Sequence, residues 1–205
     1  DKTERLSRAQ LIDHFTLERV NPGPASFDPA KLVAFQAQYM HDVPLDEKVT
    51  RVLPFLTKAG LVASPVTDAA RARVKRIVEA LGDRLRVFGD VLLQGAIFFG
   101  ESVPYDEKAF AKRVLASGAM ERLVDFRVWL AERTAFDAAT LEREMQGYVA
   151  DRQLGLGDIV HIVRVAVTGS GAGPGLFDCL SLIGKETCLA RIDMALVKAR
   201  ATLPS

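Results

Sequence analysis

An all-α fold is expected for this 205-residue chain, on three observations. Apolar residues recur three and four apart through most of the sequence, as one face of a helix requires. Helix-start signatures precede several of these runs, Asp28 before Pro29 being the plainest. No segment alternates apolar and polar residues cleanly. Even "DIVHIVRVAV" (Asp158 to Val167), whose β-branched residues favour a strand by propensity, lacks the alternation and is read as helix.

The elements follow in order. A short helix is expected near Ser7, running towards Phe15. "NPGPASFDP" (Asn21 to Pro29) reads as a loop, because its prolines and glycine extend neither helix nor strand. Behind Asp28, Leu32, Phe35 and Tyr39 keep helical spacing. Leu45 to Ala59 sets Leu45, Val49, Val52, Leu53 and Leu56 on one face, with Gly60 as its stop. Pro54 is expected to kink or split that helix. Ser64-Pro65 is read as opening the next, which Val74, Ile77, Val78 and Leu81 stripe. A further helix is expected from Leu85 towards Ala96. A turn cluster, "FFGESVPYDE" (Phe98 to Glu107), marks a soft boundary. Asp106 to Ala116, Ala119 to Arg133, Thr140 to Arg152, Gly157 to Val167, Gly175 to Ile183 and Lys185 to Arg200 complete the helices, with Gly184 separating the last two.

Composition limits function. Hydrophobic residues at 49% and a formal net charge of +1 are ordinary for a globular chain, so no overall field points to polyanions. Any such binding must come from local clusters. No apolar run reaches the length of a membrane span. Cys179 and Cys188 have no metal-type spacing and sit in segments that read as core, so reduced, inert thiols are expected.

Two features ask for an explanation. The first is "TGSGAGPGLFDCLSLIGKE" (Thr168 to Glu186). A Walker-type loop would need Lys and Ser or Thr after its last glycine, and Gly175 is followed by Leu176 instead. A tight connection between helices fits better, as does a bare backbone that a base could approach. The second is the basic run Arg71, Arg73, Lys75, Arg76, Arg84 and Arg86, opposed only by Glu79 and Asp83. Arginine suits bidentate contact with bases and phosphates, but a solvated helix face explains the charge equally well. Arg164 stands alone in an apolar run, where it must pair, reach water or meet a ligand. His14, His41 and His161 are scattered and no nucleophile elbow exists, so the chemistry reads as that of a binding module.

"RVAVTGSGAGPGLFDCLSLIGKETCLARI" resembles the C-terminal end of bacterial glutamyl-tRNA synthetases, where an arginine-bearing apolar helix ends in Thr-Gly and Pro-Gly-Leu-Phe opens the next. "LIDHFTLERVNPGPASFDPAKLVAFQAQYM" and "RVLPFLTKAGL" are similar to earlier segments of the same family. The family's His-Ile-Gly-His-like and Lys-Met-Ser-Lys-like catalytic motifs are not in the chain, in keeping with a start at Asp1. The resemblance therefore implies the anticodon-binding half of a glutamate–tRNA ligase, catalytically inactive alone.

It also implies the organisation: residues 1–44 a remnant of the stem-contact region, 45–103 a helical bundle and 104–205 an α-helical cage. ATP and magnesium would belong to the missing catalytic domain, with no cofactor in this part. The implied partner is glutamate-specific tRNA rather than DNA or membrane, bound by a cytoplasmic monomer. Arg84, with Arg86 in reserve, falls on the arginine that reads the third anticodon base, C in glutamate tRNA and G in glutamine tRNA. Arg164 falls on an arginine near the first two bases. Gly173, Pro174 and Leu176 fall on the loop and helix start that wall in the first base, and Gly173 stands where the family often has Thr. Glutamine-specific relatives use β-barrels for this task. A stand-alone helical RNA-binding or protein-adaptor module is the alternative.

Overall fold

The computed structural model describes residues 6–20, 23, 24, 26 and 28–202, and among these it contains eleven α-helices and no strand. Most of the expected Asn21 to Pro29 loop lies outside the described residues. The first helix, α1 (Arg8–His14), begins at Ser7, whose hydroxyl accepts from the Gln10 N–H while Gln10 returns a bond to the Ser7 N–H. Asp28 caps α2 (Pro29–Asp42) by accepting from Ala30 and Lys31. In α3 (Leu45–Lys58), Val49, Val52, Leu53 and Leu56 are buried as one stripe. The helix runs on through Pro54, contrary to the expected split. Gly60 lies just past its end at φ +72°, supplying the left-handed stop.

The next helix, α4 (Asp68–Leu81), starts later than Ser64-Pro65 suggests, because Thr67 is the residue that caps it, at the Ala70 N–H. The expected helix from Leu85 to Ala96 does not form. Short 3-10 turns at Gly82–Arg84, Phe88–Asp90 and Ala96–Phe98 surround the one-turn helix α5 (Val91–Gln94). Gly82, at φ +50°, ends α4, and the Asp90 carboxylate accepts from the Arg86 and Val87 N–H groups, which ties the chain into a loop instead.

Beyond the turn cluster come α6 (Glu107–Arg113), α7 (Ala119–Ala131), α8 (Ala138–Asp151), α9 (Leu156–Thr168), α10 (Leu176–Ile183) and α11 (Lys185–Thr202). Asp106 and Asp137 cap α6 and α8. The β-branched α9 is nearly all buried, between α6, α7 and α11. Burial on most sides explains why its sequence shows neither clean alternation nor a polar face. Packing of α10 on both α4 and α8 continues one apolar core from the first half of the chain to the second. A bidentate pair, Arg127 Nε and Nη2 to the Asp193 carboxylate at 2.5 and 2.8 Å, joins α7 to α11.

The least legible feature of the fold is Arg191, whose side chain is 0% exposed. It donates to the carbonyls of Val167 (2.8 Å), Ile97 (2.8 Å), Gly100 (2.5 Å) and Glu101 (3.2 Å). Those oxygens belong to the last turn of α9 and to the irregular 97–101 stretch, groups that no helix bond satisfies. Arg73 grips the same stretch from outside, donating to Phe98 O at 2.5 Å with its guanidinium over the Phe99 ring. Two arginines thus fix the connection on which the two halves of the functional cleft depend.

Candidate nucleic-acid interface

Two loops meet at the cleft. On one side, Leu85 is buried at 1% exposure and anchors the strand-like segment after α4, so that its neighbours Arg84 and Arg86 project to solvent. On the other side lies the glycine loop between α9 and α10. Arg84, Arg86, Asp90 and Gln94 face Ser170, Ala172 and Gly173 across an open hollow of about 450 Å³. That is room for a nucleobase rather than for a buried cofactor.

The glycine loop is held from within. Gly169, at φ +77°, presses against the segment before α6: a side chain there would begin 2.1 Å from the Pro104 carbonyl oxygen, and its own carbonyl accepts from the Asp106 N–H at 2.8 Å. Thr168 Oγ1 donates back to the Arg164 carbonyl and accepts from Ser170 N–H. Gly173, at φ +155°, presents bare backbone to the hollow. A first side-chain carbon there would still lie 3.9 Å from Arg164 Nη1, so the Arg164 guanidinium sits directly behind this part of the loop.

Arg164 is half-buried and spends Nη1 on the Pro174 carbonyl at 2.5 Å. It clamps the loop rather than projecting into the hollow. Pro174 is buried beneath the loop, and Leu176, at 3% exposure, packs into the core at the start of α10. Of the expected site residues, Arg84 and Gly173 line the hollow; Arg164, Pro174 and Leu176 support it from below.

The basic run separates in the same way. Arg71 donates to Thr50 Oγ1, Arg73 to Phe98 O, Lys75 pairs with Asp46 at 2.7 Å, and Arg76 donates to Ser181 Oγ. The guanidiniums of Arg84 and Arg86 have no hydrogen-bond or ion-pair partner among the described residues. Two free forks facing exposed backbone form an electropositive hollow that can accept the carbonyl and ring-nitrogen acceptors of a base. Gln94, which the sequence did not single out, adds an amide that both donates and accepts.

Two other features offer less. A hollow of about 430 Å³ beside α1, lined by Leu6, Leu11, Phe15 and Val20 with His14 and Arg19, is apolar for the most part. Cys179 and Cys188 are free thiols, pushed up to about 11 and about 12 by burial, so neither is a nucleophile near neutral pH.

The family model described as "Anticodon binding domain" matches residues 47–196. The chain is 32% identical over 192 residues to the glutamate–tRNA ligase of Moorella thermoacetica, covering 94% of this chain and 39% of that protein. It is 33% identical over 195 residues to the glutamate–tRNA ligase of Roseiflexus castenholzii, covering 95% and 38%. The chain thus spans about 39% of the length of the curated relatives it matches. A solved glutamate tRNA ligase from Elizabethkingia meningosepticum superposes with a TM-score of 0.78 at 22% identity, over 94% of this chain and 37% of the other, which shows the shared fold. With the family model extending over both loops of the cleft, the chain belongs to the anticodon binding domain family.

Proposed function

We propose that this chain recognises the anticodon loop of glutamate-specific tRNA, as the C-terminal part of a glutamate–tRNA ligase whose ATP- and magnesium-using chemistry resides in a separate catalytic domain. One observation carries the reading. Arg84 and Arg86 are held without partners by the buried Leu85, opposite the bare Gly173 backbone, across a hollow of about 450 Å³. Unstacked loop bases are recognised by fixed donors at their Watson–Crick edges, in concave sites of this kind.

In this reading Arg84 meets the third anticodon base, with Arg86 beside it, and the Gly173 backbone faces the first. Arg164 acts one step back, setting the loop through Pro174. The bundle at 45–103 contributes the arginine side of the cleft and the cage at 104–205 its glycine side, behind a 1–44 stem-contact segment.

The test is titration of the chain with two unmodified tRNA transcripts that differ only in whether the anticodon ends in C or G. A bidentate arginine contact discriminates by about 1–3 kcal/mol, roughly 5- to 150-fold. Arg84→Gln should remove most of that preference while leaving the fold intact. An unchanged ratio of affinities in both Arg84→Gln and Arg86→Gln would overturn the assignment.

A further inference from the structure

The far end of α9 carries a second gathering of basic side chains. Lys112 and Arg113 from the end of α6, Arg122 from α7 and His161 from α9 line a small hollow of about 120 Å³, together with Gly157 and Asp158. Elsewhere in this half of the chain arginines and lysines are paired: Arg127 with Asp193, Arg133 with Glu144, Lys198 with Glu107. Lys112, Arg113 and Arg122 have no hydrogen-bond or ion-pair partner among the described residues. The one carboxylate in the hollow, Asp158, is turned towards its own helix start, accepting from the Gly155 N–H at 2.9 Å. Arg113 and Arg122 are half-buried, so packing restrains them although they repel each other. Cations converging without a counter-charge favour an external anion.

The position of this hollow narrows the choice of anion. Gly157, His161, Arg164 and Thr168 follow one another at helical spacing and share one face of α9. That face leads from the basic hollow to the loop clamped by Arg164. Beside it α6 runs antiparallel: its start bonds Gly169 through Asp106 N–H, and its end supplies Lys112 and Arg113. A 13-residue helix separates the two sites by ~20 Å. A strand of RNA that places bases in the cleft therefore has phosphates within reach of the hollow a few nucleotides along.

We infer that the Lys112–Arg113–Arg122–His161 hollow holds a backbone phosphate of the same RNA whose anticodon occupies the Arg84–Gly173 cleft. The inference rests on the anticodon reading above but concerns a separate, sequence-independent contact. Phosphate contacts fix register and affinity without reading bases.

The experiment measures affinity of the full chain for the C-ending and G-ending transcripts across a salt series. Arg113→Gln/Arg122→Gln should weaken both transcripts equally, by roughly 5- to 30-fold. The slope of log affinity against log salt should become shallower by about 1.4, at ~0.7 per lost contact to a single strand, with the preference between transcripts unchanged. Arg113→Lys/Arg122→Lys should keep most of the slope. Should the glutamine pair fail to fold by circular dichroism, the exposed Lys112→Gln is read instead, with about half the slope change.

An unchanged slope in a folded variant overturns the inference while leaving the anticodon reading standing, and points to an acidic protein segment or free phosphate as the occupant. If the parent chain shows no preference between transcripts yet the slope still falls in the variant, the anticodon reading fails and the phosphate contact stands. If the parent binds neither transcript, both fail.

Discussion

Replacing Arg191 by methionine keeps much of the buried volume and removes every donor. Three carbonyl oxygens, those of Val167, Ile97 and Gly100, then lose bonds of 2.8, 2.8 and 2.5 Å inside the core. The fourth, on exposed Glu101, can turn to water and counts for little. At about 1–2 kcal/mol per abandoned carbonyl the loss is about 3–6 kcal/mol. Relief from desolvating a guanidinium offsets part of it, leaving about 3–5 kcal/mol. Against a typical stability of 5–15 kcal/mol, that places the variant near the edge of folding.

Urea denaturation is the assay. With a slope of ~2 kcal/mol per molar urea, the midpoint should fall by roughly 2 M. Arg191→Lys should recover only part of this, because one ammonium cannot span carbonyls that converge from two separate segments. A loss below ~1 kcal/mol for Arg191→Met would refute the claim that this side chain fixes the connection between the halves of the cleft.

Three further outcomes are expected. Gly169→Ala should cost more than ~2 kcal/mol, since the added carbon would lie 2.1 Å from the Pro104 carbonyl at a left-handed φ; Gly147→Ala, mid-helix with open space around it, should gain ~0.5–1 kcal/mol. Equal effects at the two glycines in thermal melts would contradict this. Arg164→Met should free the buried Pro174 carbonyl, costing ~1–2 kcal/mol of stability and weakening tRNA binding through a looser loop. Undiminished affinity would remove Arg164 from the site. For the thiols, burial raises Cys179 to about 11 and Cys188 to about 12 from an ordinary 9.0. The folded chain holds these protons after the unfolded chain has released them, so the contribution is intact below pH 9 and is lost as pH rises through 11 to 12. Cys179→Ala/Cys188→Ala should flatten the fall in stability above pH 9, and an unaltered alkaline profile would count against it.

The all-helical architecture was readable where one residue fixes one local event. Asp28, Asp106 and Gly184 each announce a helix boundary by chemistry confined to a few neighbours. The stripes on α3 and α4 were equally plain. Legibility failed where the deciding partner is remote or where backbone bonds compete. Leu85 to Ala96 carries helical spacing, yet Asp90 takes the Arg86 and Val87 N–H groups and turns the chain aside. Within the basic run, only the fold shows that Arg76 spends its charge on Ser181, far along the chain, while Arg84 remains free. Arg191 looked like any helix arginine, because its acceptors are carbonyls 24 to 94 residues distant and carry no side-chain signature. Leu176 was expected to wall in a base and instead belongs to the core, since an apolar residue at a helix start can serve either purpose.

The most direct measurement follows backbone amide resonances as an anticodon stem–loop RNA of glutamate tRNA is added. The account predicts the largest shifts at Arg86, Gln94, Ser170, Ala172 and Gly173, the residues bordering the hollow, and smaller ones when the last anticodon base is changed from C to G. Shifts centred on the exposed apolar side chains of α1, or on Val124, Val128 and Val197, with Gly173 unmoved, would contradict it.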